Sequence, residues 1–205
     1  MTSTGSLWLV AVGDAAREDL EFAATIAGET TGLGARILPA RLPVKPFYDP
    51  ARDQVNATKV LGALLPIGRE AAAGKGRGFW RILGVTDHDL FMPVLTFVFG
   101  EALLGGEAAV VSRHRLREEF YGLPANPVLA MQRLEKEILH ELGHTFGLTH
   151  CDLRACVMSF ANSVGDVDVK ESAFCPSCSR SLPRPRPAGH PLEGVSPEPG
   201  EPPRA

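Results

Sequence analysis

His140-Glu141-Leu142-Gly143-His144 sets two histidines four residues apart. On a helix such positions share a face, with Cβ atoms about 5–6 Å apart, so both imidazoles can reach one Zn²⁺. Glu141, one residue along, stands beside the same point, where a carboxylate can deprotonate a metal-held water and later hand the proton to a leaving amine. Gly147 follows His144 by three residues, and His150 lies three beyond that. The third histidine can turn back to the metal only if the helix ends, and glycine tolerates the left-handed backbone of such a turn. Three protein ligands leave the fourth zinc position open to water, the arrangement of a catalytic site. The alternative is a helix with surface histidines. It requires three of the six histidines, a glutamate and a glycine to fall into register by chance. His88, His114 and His190 carry no such pattern and read as ordinary polar positions.

A second cluster follows at once. All four cysteines lie in one stretch, as Cys151-x4-Cys156 and Cys175-x2-Cys178. Two close pairs of thiolates suit a closed tetrahedral Zn²⁺ site, which would be structural. Two disulfides, or four unrelated thiols, are the alternatives. Cys151 directly follows His150, so the two sites would share a loop and brace each other. Met158 lies eight residues past His150 and could floor the first metal, although a lone methionine is more often plain core.

The chain that must position these residues has 205 of them, 44% hydrophobic and 22% charged, which predicts one domain with at most a small appended module. A net charge of −3 argues against a nucleic-acid or anionic-membrane partner, which calls for a basic stripe. The short arginine clusters at 113–117 and 180–186 read as a solvated face or tail. No run approaches the roughly 18 apolar residues of a membrane span. The start, Met1-Thr-Ser-Thr-Gly-Ser6, lacks the basic opening of a secretory signal, and the apolar run at 7–12 is short for a signal core. The expectation is a cytoplasmic monomer acting on peptide or protein, where a cysteine cluster holds metal more often than disulfides.

Residues 7–12 read as a first strand and 15–30 as a helix, with Leu20, Phe22, Ala23, Ile26 and Ala27 on one face. A short strand at 35–38 precedes residues 39–53, whose four prolines predict an extended loop. Asn56 caps a helix running to about Ala73, which Pro66 is expected to kink or interrupt. The glycine-rich 74–78 predicts a flexible break. Strands are expected at 79–85, 94–99 and 108–112, the last two parted by a Gly105-Gly106 turn. A βαβα opening followed by ββ predicts an α/β fold, a mixed sheet flanked by helices. Asn126-Pro127 opens the histidine-bearing helix as N-cap and first helical residue, and Met131, Leu134, Ile138, Leu142 and Phe146 recur at steps of three and four. From Ser179 the chain holds eight of its 17 prolines and almost nothing apolar. Residues 179–205 are therefore expected to be a disordered tail after a domain of residues 1–178.

His-Glu-Leu-Gly-His-Thr-Phe-Gly-Leu-Thr-His-Cys151, Cys156-Val-Met158 and Phe174-Cys-x-x-Cys178 together resemble the archaemetzincins, a metzincin-type family of zinc peptidases. The resemblance extends to Tyr48-Asp-Pro-Ala-Arg-Asp-Gln54, Ile82-Leu-Gly-Val-Thr-Asp87 with Leu90, Phe97-Val-Phe-Gly100, Ser159-Phe-Ala-Asn-Ser163 and Asp166-x-Asp168-x-Lys170. It covers the chain from about Leu7 to Cys178. It implies a compact metzincin-like α/β domain with a catalytic zinc on His140, His144 and His150, Glu141 as general base and Met158 as the Met-turn residue. It also implies a second zinc on Cys151, Cys156, Cys175 and Cys178, making two per chain. An extended substrate would pair with the sheet's edge strand, for which 108–112 is the candidate. Two features depart from the family pattern. Sixteen residues, one fewer than usual, separate Met158 from Cys175, and Phe160 stands near the Met-turn where many metzincins have a tyrosine. The competing reading is a catalytically idle zinc protein that binds peptides or partners; Glu141 weighs against it, because holding metal needs the histidines and not the carboxylate. A Pro-x-x-Pro ligand in the tail ranks below a solvated tail.

Overall fold

The computed structural model describes residues 5–73 and 79–182; the glycine-rich break at 74–78 and residues 183–205 of the expected tail lie outside the described residues. In chain order the elements are β1 (Gly5–Val12), α1 (Arg17–Thr31), β2 (Gly34–Leu42), β3 (Tyr48–Asp49), β4 (Gln54–Asn56), α2 (Ala57–Ala72) and β5 (Phe79–Thr86). Then come β6 (Leu90–Phe91), β7 (Gly100–Ala102), β8 (Ala108–Ser112), α3 (Pro127–Thr145), α4 (Val164–Val169) and α5 (Pro176–Ser181).

The main sheet has the order β2-β1-β5-β8-β7, with β7 alone antiparallel to its neighbour. β1 explains its own sequence. Leu7, Leu9 and Ala11 enter a core with α1 and α3, while Trp8, Val10 and Val12 enter a second core against α2. A strand covered on both faces reads as a continuous apolar run rather than an alternating one. A small sheet, β3-β4-β6, sits beside the main one. Among the described residues no helix is long and apolar enough to cross a membrane.

Several expectations are corrected. Residues 39–53 are not one loop: β2 runs through Pro39 to Leu42, and a helical turn at Lys45–Phe47 leads into β3. Pro39 is tolerated because β2 is an edge strand, and its register with β1 slips there, between the Leu9–Ile37 and Ala11–Arg41 pairs. α2 passes through Pro66 without ending. Pro66 and Gly62, whose carbonyl it leaves unbonded, are both exposed, so water can serve that carbonyl. The strand expected at 94–99 does not form. Turns and bends follow Pro93, Val94 is 79% exposed, and the segment pairs only through an isolated Leu90–Val98 bridge. The edge strand at this end of the sheet is β7, opposite the β2 edge, and β8 lies inside the sheet between β5 and β7. The arginines at 113–117 are no solvated face, since Arg113 pairs with Asp19 and Asp87, and Arg115 with Asp89. Regular structure also runs past 178, because α5 includes Ser179–Ser181 and Leu182 packs against the cluster around Met158.

Candidate metal centre

α3 begins where Asn126 Oδ1 accepts the Leu129 N–H at 3.1 Å, with Pro127 in its first turn. Its apolar stripe, Leu134, Ile138 and Leu142, is fully buried against the sheet and α1. The helix is also fixed from outside its apolar face. Arg133 makes two 2.7 Å bonds to Asp168 and a second ion pair to Glu118, and buried Lys170 donates to Glu137 at 3.0 Å. Gly147, at φ +88°, turns the chain after Thr145, and its N–H and that of Gly105 both donate to the His144 carbonyl. Arg81, buried in β5, donates to the Thr145 carbonyl at 2.9 Å and lies over the Phe79 and Phe146 rings, so a cation meets the negative end of the helix.

This framework brings His140, His144 and His150 together, their ligand nitrogens all within 4.8 Å of one another. His140 Nε2 and His144 Nε2 stand 3.1 Å apart. Two nitrogens on one tetrahedral zinc would stand about 3.3 Å apart at ordinary Zn–N lengths. The far sides of both rings are engaged: His140 Nδ1 faces the Val157 carbonyl at 2.8 Å and His144 Nδ1 the Leu148 carbonyl at 2.7 Å. Such bonds fix the tautomer that turns Nε2 to a metal. Burial, with the Lys170 ammonium and the neighbouring imidazoles, holds His140 well below its ordinary pKa, and burial lowers His144 and His150 too. Neutral imidazoles are what a metal requires.

Glu141 is buried beside them, and its Oε2 has no hydrogen-bond partner among the described residues. Burial first, then the Glu137 carboxylate, push its pKa well above the usual range, while Lys170 pulls the other way. A dication on the three nitrogens would act in the same sense as Lys170. Room for this side chain comes from β7, because a Cβ on Gly100 would stand 2.6 Å from Glu141 Cγ. Gly143 does the same for the floor: a Cβ there would stand 2.4 Å from Met158 Sδ, and Met158 is fully buried. The donor set, its spacing and the orphaned carboxylate oxygen all fit a catalytic metal ion.

The four cysteines are free thiols, with all Sγ atoms within 4.8 Å of one another. Cys151 Sγ and Cys175 Sγ are 3.9 Å apart, close to the about 3.8 Å of two sulfurs on one tetrahedral zinc. The Cys178 backbone N–H, with further hydrogen bonds, lowers the pKa of the Cys175 thiol toward the thiolate that a metal takes, while burial raises that of Cys178. The Cys151 N–H donates to the Met158 carbonyl at 2.9 Å, so the loop shared with His150 is tied to the floor of the first site.

A cavity of about 480 Å³ opens over the histidines, walled by α3, by β7 and by residues 92–99. Phe160 lines it, its ring 4.9 Å from that of His150, and no tyrosine does. The site residues named from spacing are thus all brought into two clusters. Gly100, Lys170, Glu137 and Arg81 were not singled out as site residues. Gly100, Lys170 and Arg81 reach the site from distant elements, so nothing in local spacing marks them, whereas Glu137 stands on α3 itself, one turn before Glu141.

Peptidase family M54 matches residues 36–184. The archaemetzincin of Methanocaldococcus jannaschii is 42% identical over 172 residues, covering 83% of this chain and 89% of that one. That of Thermococcus kodakarensis is 47% identical over 135 residues, 66% of this chain and 69% of its own. Among solved structures, the Archaeoglobus fulgidus archaemetzincin complexed with malonate superposes with a TM-score of 0.72 at 34% identity, over 86% of this chain and 99% of the other. A zinc-dependent peptidase from Methanocorpusculum labreanum gives 0.75 at 28% identity, over 87% and 100%. The chain belongs to peptidase family M54, alongside the archaemetzincins, and is a zinc-dependent metallopeptidase.

Proposed function

We propose that Glu141 is the general base of this peptidase, acting at a zinc ion held by His140, His144 and His150. We propose too that Cys151, Cys156, Cys175 and Cys178 hold a second, structural zinc. The observation that carries the reading is the buried Glu141 Oε2, unpartnered by any described residue, beside two histidine Nε2 atoms 3.1 Å apart. Zinc, when bound there, supplies a Lewis acid that lowers the pKa of water toward neutrality. Glu141 holds the attacking water through Oε2 and takes one of its protons. The water oxygen bonds to the scissile carbonyl carbon, the C–N bond breaks, and Glu141 gives its proton to the departing nitrogen. Met158, packed against Gly143 between the first two histidines of the motif, would floor the site. β7, the free edge of the sheet at the cavity, offers backbone groups along which an extended peptide can add as a further strand.

A peptide-library digest read by mass spectrometry, with wild type and Glu141→Ala in parallel, tests this reading. The wild type is expected to yield a defined set of cleavages that the variant loses. No cleavage by zinc-loaded wild type anywhere in a broad library would favour an idle zinc protein instead.

A further inference from the structure

Residues 92–99 form the wall of the cavity opposite α3, with Met92, Leu95, Thr96, Phe97, Val98 and Phe99 all lining it. This wall has almost no regular structure to hold it. Leu95 N–H bonds internally to the Met92 carbonyl, and Val98 N–H reaches the Leu90 carbonyl at 2.9 Å. Beyond that turn to Met92, one hydrogen bond among the described residues ties residues 93–97 to the rest of the fold. It runs from Gln54 Nε2 to the Thr96 carbonyl, at 3.0 Å.

Gln54 does not act alone. Its Nε2 also donates to Asp89 Oδ2 at 2.8 Å, so both amide protons are used. Asp89 in turn receives two 2.7 Å bonds from Arg115, a bidentate pair, and its carbonyl accepts the Val55 N–H. The Arg115 guanidinium lies over the Phe97 ring, 4.1 Å from its centroid, and over Phe120 on its other flank. Phe97 stands edge-on to Phe99 in the wall. Gln54 and Asp89 are both buried, and neither they nor Arg115 line the cavity. The clamp therefore grips the wall from behind, by its backbone at Thr96 and by its ring at Phe97.

We propose that Gln54, Asp89 and Arg115 are positioning residues that set the cavity wall, and through it the fit of whatever side chain lies against Phe97 and Leu95. The claim about ligands rests on the metal-centre reading above; the claim about the wall does not. It also gives a role to Gln54, the last residue of the Tyr48–Gln54 stretch that the metal chemistry leaves unexplained.

The test uses the zinc-loaded full chain and two variants. Gln54→Met keeps length and bulk but loses both hydrogen bonds, and Arg115→Lys keeps charge but loses the planar fork and its stacking. Hydrogen exchange at amides 95–98 is expected to speed roughly tenfold or more in Gln54→Met, with β1, β5 and α3 unchanged. Arg115→Lys is expected to move the same amides, so the clamp stays testable if one variant folds poorly. Two zinc-binding probes then separate positioning from general damage. A hydroxamate carrying a phenylalkyl group, which must lie on the wall, is expected to weaken roughly fivefold or more, in line with losing one modest contact. Acetohydroxamate, which touches little beyond the metal, is expected to bind as to wild type, with zinc content unchanged. On any peptide the wild type cleaves, KM is expected to rise while kcat holds. Unchanged exchange at 95–98 would overturn the clamp, as would faster exchange with both probes bound as by wild type. Failure of the peptidase reading would look different: no hydrolysis by wild type, with exchange and probe results as expected here.

Discussion

The three histidines and the four cysteines are one residue apart in sequence and opposite in design. The histidines face a cavity of about 480 Å³, offer three nitrogens, and keep a buried carboxylate beside them. The cysteines offer four sulfurs and pack against a small apolar cluster of Leu139, Leu148, Val157 and Met158. Three ligands with a base leave a metal open to substrate, whereas four ligands close it off. The means of assembly differ in the same way. A rigid helix supplies two histidines and the carboxylate, because catalytic geometry must be held closely. Two short loops and the start of α5 supply the cysteines, where the metal itself can do the organising. Met158 joins the two, through its sulfur against Gly143 and its carbonyl to Cys151.

The strongest way to break this contrast is His144→Ala. Two imidazoles cannot hold zinc tightly, so the open site is expected to empty and hydrolysis to fall to background. The cysteine site is expected to keep its metal, and elemental analysis would read a drop from two zinc ions per chain to one. Loss of both metals from a folded variant would show that the sites are not separable. Wild-type protein sharpens the same point under chelation. Metal is expected to leave in two phases, the open site first, and activity is expected to vanish with the first. One zinc and paired, oxidised cysteines would defeat the second-site proposal.

Gly143→Ala probes the joint between the sites. The added methyl meets Met158 Sδ and the Phe174 ring, so the floor must shift. Overpacking of this kind costs about 1–3 kcal/mol, or roughly 2–4 °C of Tm per kcal/mol in a chain of this length. An unchanged Tm would mean that Met158 moves aside freely and is no rigid floor.

The candidate metal residues, which the fold gathers into two clusters, were legible because the chemistry proposed for them is local. A helix turn relates His140 to His144, and a glycine turn relates His144 to His150, so spacing alone carries the site. β1 was legible as well, since burial on both faces leaves a bare apolar run. Residues 94–99 misled for a related reason. They are apolar, but Phe97 and Phe99 pack one by one into the core and cavity wall instead of pairing as a strand. Gly100, Arg81, Lys170 and the Gln54–Asp89–Arg115 clamp depend on contacts between elements far apart in sequence. No local pattern marks such a partner before the chain folds.

The smallest expected effect lies at the end of the described residues. A truncation after Leu182 is expected to leave Tm within about a degree or two, because the removed sequence has little apolar surface to bury. A truncation after Cys178 removes half of α5 and the Leu182 contact with the cysteine cluster, and is expected to melt measurably lower. Equal melting of the two would deny α5 any part in holding the cysteine site.

The most direct measurement is zinc content and hydrolysis on Glu141→Ala, side by side with wild type. The change leaves all three histidines and the four cysteines in place, so zinc content and folding are expected to be nearly unchanged. Hydrolysis is expected to fall by roughly two or more orders of magnitude, the usual cost of removing a general base at a metal site. A variant that keeps its zinc and cleaves every peptide as fast as wild type would contradict the assignment of Glu141 as the base.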